Sequence, residues 1–280
     1  MEILRSPRMV REALMKPRMR GRSIGLVPTM GALHAGHMSL VKTSLMENDL
    51  TVASIFVNPT QFAEGEDLDK YPSDIDGDDS KLREAGVDIL FMPSAKDMYG
   101  EGFDTFVDVG PIGTRLCGAY RPTHFRGVST IITKLFNIVT PTRSYFGQKD
   151  YQQCRVLINM ARDLNLPAEV VICPTLRDPD GFALSSRNIY LSDNERAAAP
   201  VLYKALNEAA RLLKEDGATP EVANKKMQSI LKDEPLVAEV QYIGCYDPAS
   251  LKWLEEFKGK ALLAGAIKIG STRLIDNIVL

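Results

Sequence analysis

Apolar runs and helical stripes alternate along the first two thirds of the chain. Residues 10–16 carry a short amphipathic pattern, read as a surface helix ended by Pro17. An apolar run at 23–27 reads as a strand. Residues 36–47 then take helical spacing, with Leu40, Val41, Ser44 and Leu45 on one face. Residues 50–57 (LTVASIFV) are nearly continuous in apolar character, the mark of a strand covered on both sides. A helix is expected over 74–85, stopped at Gly86, and a strand over 87–92, stopped by Pro93. A short strand is expected at 105–109, a helix at 127–140, a strand at 144–146, a helix at 151–165 and a strand at 168–173. This alternation predicts a parallel sheet with helices on both faces, which right-handed crossovers make a Rossmann-like, doubly wound α/β domain.

After residue 188 the pattern changes. One long helix is expected over 193–214 with Asp193 as its N-cap, and a second over 220–232 with Pro220 in its first turn. Residues 237–246, 260–269 and 273–279 read as strands joined by Gly and Pro turns. These elements predict a smaller C-terminal α+β domain, giving a division into 1–187 and 188–280, with the second part expected to act as a lid hinged near 187–191.

The bulk numbers narrow the classes. With 280 residues, 45% of them hydrophobic, the chain is long enough for two packed domains. A formal net charge of −2 argues against nucleic-acid binding, which calls for a basic surface. No apolar run reaches membrane-spanning length, so no membrane association is expected. The Arg-rich residues 1–22 lack the apolar core of a targeting peptide. Cys117, Cys154, Cys173 and Cys245 are widely spaced, which fits reduced thiols in a cytoplasmic protein.

The candidate chemistry lies where strands end. Met30-Gly31-Ala32-Leu33-His34-Ala35-Gly36-His37 sets two of the three histidines three residues apart, around a glycine, where a strand turns into a helix. Imidazoles beside the free amides of a helix start suit a polyphosphate. The same pair is compatible with two surface histidines, and less well with a metal site, because no Cys, Asp or Glu lies nearby at ligand spacing. In Asn58-Pro59-Thr60-Gln61, the Gln61 amide stands at a strand's carboxyl end and can donate and accept. Gly147-Gln148-Lys149-Asp150 opens a helix with a point charge, and Gln153 follows one turn on. Ser185-Ser186-Arg187 offers two hydroxyls and a permanent cation, also suited to a polyphosphate. Arg121-Pro122-Thr123-His124-Phe125-Arg126 brings in the third histidine. The run Asp74, Asp76, Asp78, Asp79 is a conceivable metal contributor, but reads better as a solvated helix start favoured by the helix dipole.

Taken together and in order, PTMGALHAGH, FVNPTQF, RPTHFRGV, FGQKDYQQ and DGFALSSRNIYLS resemble the pantothenate synthetase (pantoate–β-alanine ligase) family over about residues 22–192, and more loosely to the C-terminus. That family lies in the H-x-G-H nucleotidyltransferase-like superfamily, with the class I aminoacyl-tRNA synthetases. Ala35 stands where an acidic residue is common, and Gln148 where Glu is frequent.

The resemblance implies an ATP-dependent ligase that forms pantoyl adenylate, releases pyrophosphate, then joins pantoate to β-alanine and releases AMP. It implies that Met30, Gly31, Ala32, Leu33, His34, Ala35, Gly36 and His37 bind ATP, with His37 as proton donor and His34 its companion. It assigns Gly147, Gln148, Lys149 and Asp150 to the nucleotide, Leu176 to adenine through its backbone, and Leu184, Ser185, Ser186 and Arg187 to the triphosphate. Gln61 and Gln153 would hold pantoate, with Gln61 also serving β-alanine. His34, His37, Lys149, Ser185, Ser186 and Arg187 would spread the charge of the first step. Mg²⁺ is expected with the ATP, held mainly by phosphate oxygens and waters. A cytoplasmic homodimer is the family's usual state. Rivals are a nucleotidyltransferase with a phosphorylated acceptor, for which the Gln61 and Gln153 pair is too neutral, a tRNA-charging enzyme, and a non-catalytic nucleotide-binding module.

Overall fold

The computed structural model describes all residues, Met1–Leu280. In chain order the elements are β1 (Glu2–Leu4), α1 (Pro7–Met19), β2 (Ile24–Thr29), α2 (Ala35–Glu47), β3 (Leu50–Ile55), α3 (Ile75–Ala85), β4 (Ile89–Phe91) and α4 (Ala95–Met98). They continue with α5 (Cys117–Tyr120), α6 (His124–Val139), β5 (Arg143–Gly147), α7 (Tyr151–Asp163), β6 (Glu169–Cys173), α8 (Asp193–Ala198), α9 (Val201–Lys214), α10 (Pro220–Lys232), β7 (Val237–Tyr246), β8 (Leu262–Ile269) and β9 (Thr272–Val279).

Two compact units emerge. The first comprises Met1–Gly113, Arg121–Gly147 and Gln153–Pro174; the second comprises Thr114–Tyr120, Gln148–Gln152 and Thr175–Leu280. The hydropathy pattern divides the chain after residue 187, whereas packing groups 175–187 with the C-terminal unit.

The first unit is built on a six-stranded sheet in the order β1-β4-β3-β2-β5-β6, every pair parallel. Neighbouring strand residues face opposite sides. Ile24, Leu26, Val52, Ile89, Phe91 and Phe146 join α1, α6 and α7 in one core. Val27, Ala53, Ile55, Leu90 and Tyr145 join α2 and α3 in the other. This is the expected doubly wound, Rossmann-like sheet. Strand order reverses beside β2, where the chain continues to β3 on one side and β5 lies on the other, so ligand-binding loops are expected beyond Thr29 and Gly147.

The second unit has one three-stranded antiparallel sheet, β7-β8-β9. Its core is formed by Leu202, Leu206 and Leu213 of α9 and Met227 and Leu231 of α10, with Ile243, Leu263 and Ile267 of the sheet.

Several local expectations are corrected. Pro17 lies inside α1 and does not end it. The last turn is tied down from elsewhere: the Arg18 guanidinium donates to the carbonyls of Ile138 and Val139 at the end of α6. The expected single helix over 193–214 is two, because Pro200 lacks the N–H that would continue the ladder; Pro200 stands instead as N-cap of α9. The cap of α8 is Ser192, one residue before Asp193. No strand forms at 105–109; the Val107 amide donates to Thr130 Oγ1 at 3.0 Å and not to a ladder. β1 has no counterpart in the hydropathy pattern; three residues give little periodicity, and the strand forms by pairing with β4.

Candidate functional site

The H-x-G-H stretch begins where β2 ends. Thr29 Oγ1 donates to the Ser54 carbonyl at 2.7 Å and accepts from the Gly31 amide at 3.2 Å. Gly31 and Ala32 then take left-handed backbone, φ +88° and +51°. At Gly31 a Cβ would meet Asp78 Oδ2 and Ile55 Cγ2, each at 3.2 Å, so conformation and space both favour glycine. Leu33 is buried and held at both backbone atoms. Its amide donates to Asp78 Oδ1 at 2.7 Å, and its carbonyl accepts from Lys81 Nζ at 2.8 Å.

His34 is the N-cap of α2. Its Nδ1 accepts from the Gly36 amide at 3.1 Å, while the His34 amide donates to His37 Nδ1 at 3.4 Å. The rings lie 4.1 Å apart between centroids. Because both Nδ1 atoms accept, each neutral ring carries its proton on Nε2. The pair therefore serves as a helix cap and presents two N–H donors at the start of α2.

Gln61 closes the 3₁₀ turn Pro59–Gln61, beyond β3. Asn58, 1% exposed, donates from Nδ2 to Gln61 Oε1 at 3.0 Å and to the Gly127 carbonyl at 3.2 Å. Asn58 Oδ1 accepts from Tyr99 Oη at 2.6 Å. The other end of the Gln61 amide, Nε2, lies 3.1 Å from Met30 Sδ. Gly127 of α6 is pressed against this turn; a Cβ there would sit 2.3 Å from the Thr60 carbonyl oxygen.

The Gln61 backbone is held by a charged network. His124 Nδ1 donates to the Gln61 carbonyl at 2.9 Å, and Arg121 Nη2 donates to the same oxygen at 3.3 Å. Arg121 grips both carboxylate oxygens of Glu66 at 2.6 Å. Arg121 Nη1 lies 3.2 Å from His124 Nε2, which accepts from it. Burial pushes the Glu66 carboxyl up, but the hydrogen bond and charge of Arg121 outweigh this and hold it below the usual glutamate range.

The acidic run 74–79 does not behave as one group. Asp74 caps α3 by accepting from the Gly77 amide at 3.1 Å. Asp78 is 1% exposed, a correction to the expectation of a solvated face. Burial raises its carboxyl above the usual range, against the lowering effects of the Leu33 and Ala32 amides and of Lys81. Beside it, Met30, Gly31, Phe56, Ile75 and Met92 line a recess of about 240 Å³. No group of three or more His, Cys, Asp or Glu side chains forms a metal cluster.

Gly147 ends β5 and pairs with Cys173 of β6. Gln153 is half-buried in the first turn of α7. In the second unit, Gln148–Asp150 is a 3₁₀ turn whose Gln148 and Lys149 carbonyls accept from Asn277 Nδ2. Leu176, exposed, and Leu184 face each other across a short hairpin, the Leu184 amide donating to the Leu176 carbonyl at 3.0 Å. Ser185 Oγ accepts from the Arg187 amide at 3.3 Å and so caps the 3₁₀ turn Ser186–Tyr190.

Sequence reasoning missed Lys81, Tyr99 and Glu66, and missed the part that Asp78 and Asn58 play in aiming the others. Arg121 and His124 were singled out without a role. Arg121, His124 and Asn58 lie in motifs and Asp78 in the acidic run; Lys81, Tyr99 and Glu66 carried no signal, since each acts through a contact distant in sequence.

These features define an α/β enzyme on a Rossmann-like parallel sheet, with donor groups gathered where strands end. Comparison with known proteins takes the assignment further. The family model for pantoate-beta-alanine ligase matches residues 2–279. The pantothenate synthetase of Thermodesulfovibrio yellowstonii is 53% identical over 279 residues, covering 100% of this chain and 99% of that protein. The crystal structure of pantothenate synthetase from Thermus thermophilus superposes with a TM-score of 0.95 at 44% identity, covering 99% of both chains. The pantoate-beta-alanine ligase of Francisella tularensis, solved with beta-gamma ATP and beta-alanine, gives a TM-score of 0.81 at 34% identity, over 100% of this chain and 97% of that one. The chain belongs to the pantothenate synthetase (pantoate–β-alanine ligase) family, and its activity is the family's, joining pantoate to β-alanine to make pantothenate.

Proposed function

We propose that the ligation uses ATP and runs through an acyl adenylate. A carboxylate is a poor acyl donor, because its charge repels an amine and its oxygen leaves badly. In the first step a pantoate carboxylate oxygen attacks the α-phosphorus of ATP. The new O–P bond forms as the bond to the β-phosphate oxygen breaks, and pyrophosphate leaves. In the second step the β-alanine amine attacks the acyl carbon. The C–N bond forms, the C–O bond to AMP breaks with its electron pair going to the AMP phosphate, and the amine's proton passes to that phosphate or to water.

The observation that carries this reading is the pair of hydrogen bonds at the start of α2, from the Gly36 amide to His34 Nδ1 and from the His34 amide to His37 Nδ1. It presents donors without need of a nucleophilic side chain, which suits phosphoryl chemistry driven by positioning and charge stabilisation. In this reading residues 30–37 bind ATP, His37 is the donor beside the phosphates, through a hydrogen bond from its Nε2–H, and His34 supports it. Gly147, Gln148 and Asp150 contact the nucleotide and Lys149 neutralises phosphate charge. Leu176 meets adenine through its backbone, and Leu184, Ser185, Ser186 and Arg187 bind the triphosphate. Gln61 and Gln153 hold pantoate, and Gln61 also serves β-alanine. Removing one preorganised donor of this kind costs roughly 3–4 kcal/mol of barrier.

Mg²⁺ accompanies ATP in this proposal. A cation carried on phosphate oxygens and waters fits a chain with no three-ligand cluster. The ion would offset phosphate charge as pyrophosphate leaves. We also read the enzyme as a cytoplasmic homodimer, on the strength of the family resemblance. No helix is long and apolar enough to cross a membrane.

The test is isotopic. With pantoate labelled by ¹⁸O in its carboxylate, one label should appear in AMP and none in pyrophosphate. The departing label found in pyrophosphate, inorganic phosphate or water instead of AMP, or ADP as product, would refute the adenylate.

A further inference from the structure

Lys149 is carried by a three-residue 3₁₀ turn, Gln148–Asp150. So short a turn does little to fix its own backbone. A lysine's four-carbon stem is flexible, so the aim of its ammonium depends on where the backbone is held. The hold comes from the far end of the chain. Asn277 of β9 is 3% exposed, and its Nδ2 donates to the Gln148 carbonyl at 2.8 Å and to the Lys149 carbonyl at 2.9 Å. Carbonyl oxygens only accept, so the atom facing them is the nitrogen, and both its hydrogens are used. Asn277 Oδ1 lies 3.4 Å from Gln148 Nε2.

Asn277 is itself braced. Its amide donates to Asp276 Oδ1 at 2.7 Å. Asp276, 5% exposed, receives both ends of the Arg177 guanidinium at 2.6 and 2.8 Å, and that guanidinium stacks 3.7 Å above the Tyr203 ring. Arg177 also donates to the Gly181 carbonyl at 3.0 Å, inside the hairpin that carries Leu176 and Leu184.

We propose that Asn277 is a positioning residue for Lys149: it fixes the backbone of the 148–150 turn, braced by the Asp276–Arg177 pair, so that the ammonium is aimed at the ATP phosphates. The proposal rests on the role given to Lys149 above. A buried asparagine that merely satisfied its own polar atoms would affect stability alone, with or without Lys149.

A double-mutant cycle separates the two, read by pantoate-dependent exchange of labelled pyrophosphate into ATP. Asn277→Ala should lower the exchange kcat about 10- to 100-fold, with the KM for pantoate changed by less than about twofold. In a Lys149→Ala background the same change should cost less than about twofold, because residues that act as a unit are not additive. An equal loss in both backgrounds overturns the proposal. If Asn277→Ala does not fold, Asn277→Ser, too short to reach both carbonyls, takes its place in the cycle. Deuterium uptake at residues 148–150 gives a readout independent of activity: faster uptake in the variant supports the hold, and unchanged uptake overturns it. Absence of exchange in the wild type would refute the adenylate reading instead, and uptake then judges Asn277 by itself.

Discussion

Asp78 Oδ1 accepts a hydrogen bond from the Leu33 amide at 2.7 Å, so the turn that launches α2 is held by a carboxylate from α3, far along the chain. Lys81, one turn further along α3, takes the Leu33 carbonyl. Asp78→Ala should leave that buried amide unsatisfied and cost about 1–3 kcal/mol of stability. Asp78→Asn keeps an acceptor for it and should cost less. The sign with pH follows from burial: the folded carboxyl binds its proton more tightly than the unfolded one. The group's contribution is therefore complete below the ordinary aspartate value and is lost as pH rises through the raised folded value. Melting curves of wild type and Asp78→Asn should diverge in favour of the variant across that window. A pH-independent difference would contradict the argument.

Glu66 has the opposite sign. Arg121 holds its carboxyl low in the fold, so the pair's contribution is present above the ordinary glutamate value and lost as pH falls through the lowered one. Glu66→Gln should destabilise by about 1–2 kcal/mol at neutral pH, and the difference should vanish in acid. Denaturant titrations at several pH values check this, and a constant difference would refute it.

His124 acts on Gln61 through the backbone. His124→Ala should raise the KM for pantoate about five- to tenfold with little change for ATP, and Gln61→Ala should raise it further. Steady-state kinetics with each substrate varied in turn separates these effects. A loss confined to ATP would remove Gln61 from the acid's site.

The parallel sheet was legible because strands covered on both faces leave continuous apolar runs such as 50–57, and because Gly86 and Pro93 mark ends clearly. The H-x-G-H turn was legible because two histidines, a glycine and a strand end are adjacent in sequence. Pro17 misled because tertiary ties from Arg18 to α6 hold the last turn of α1. Pro200 marks the break in the expected helix over 193–214, since its missing N–H cannot continue the ladder. Asp78 was unreadable for a different reason: its burial depends on Gly31 and Ile55 arriving from other elements, while its neighbours Asp74 and Asp76 are exposed. Asn277 is the same case, a buried polar residue whose partners lie more than a hundred residues away.

The account stands on activation of pantoate by ATP at a site that needs His37. Pantoate-dependent exchange of labelled pyrophosphate into ATP, without β-alanine, measures that step alone. The wild type should exchange, and His37→Ala should keep its fold and lose about 10²–10³ in rate. Exchange that needs no pantoate, or that survives His37→Ala undiminished, would contradict it.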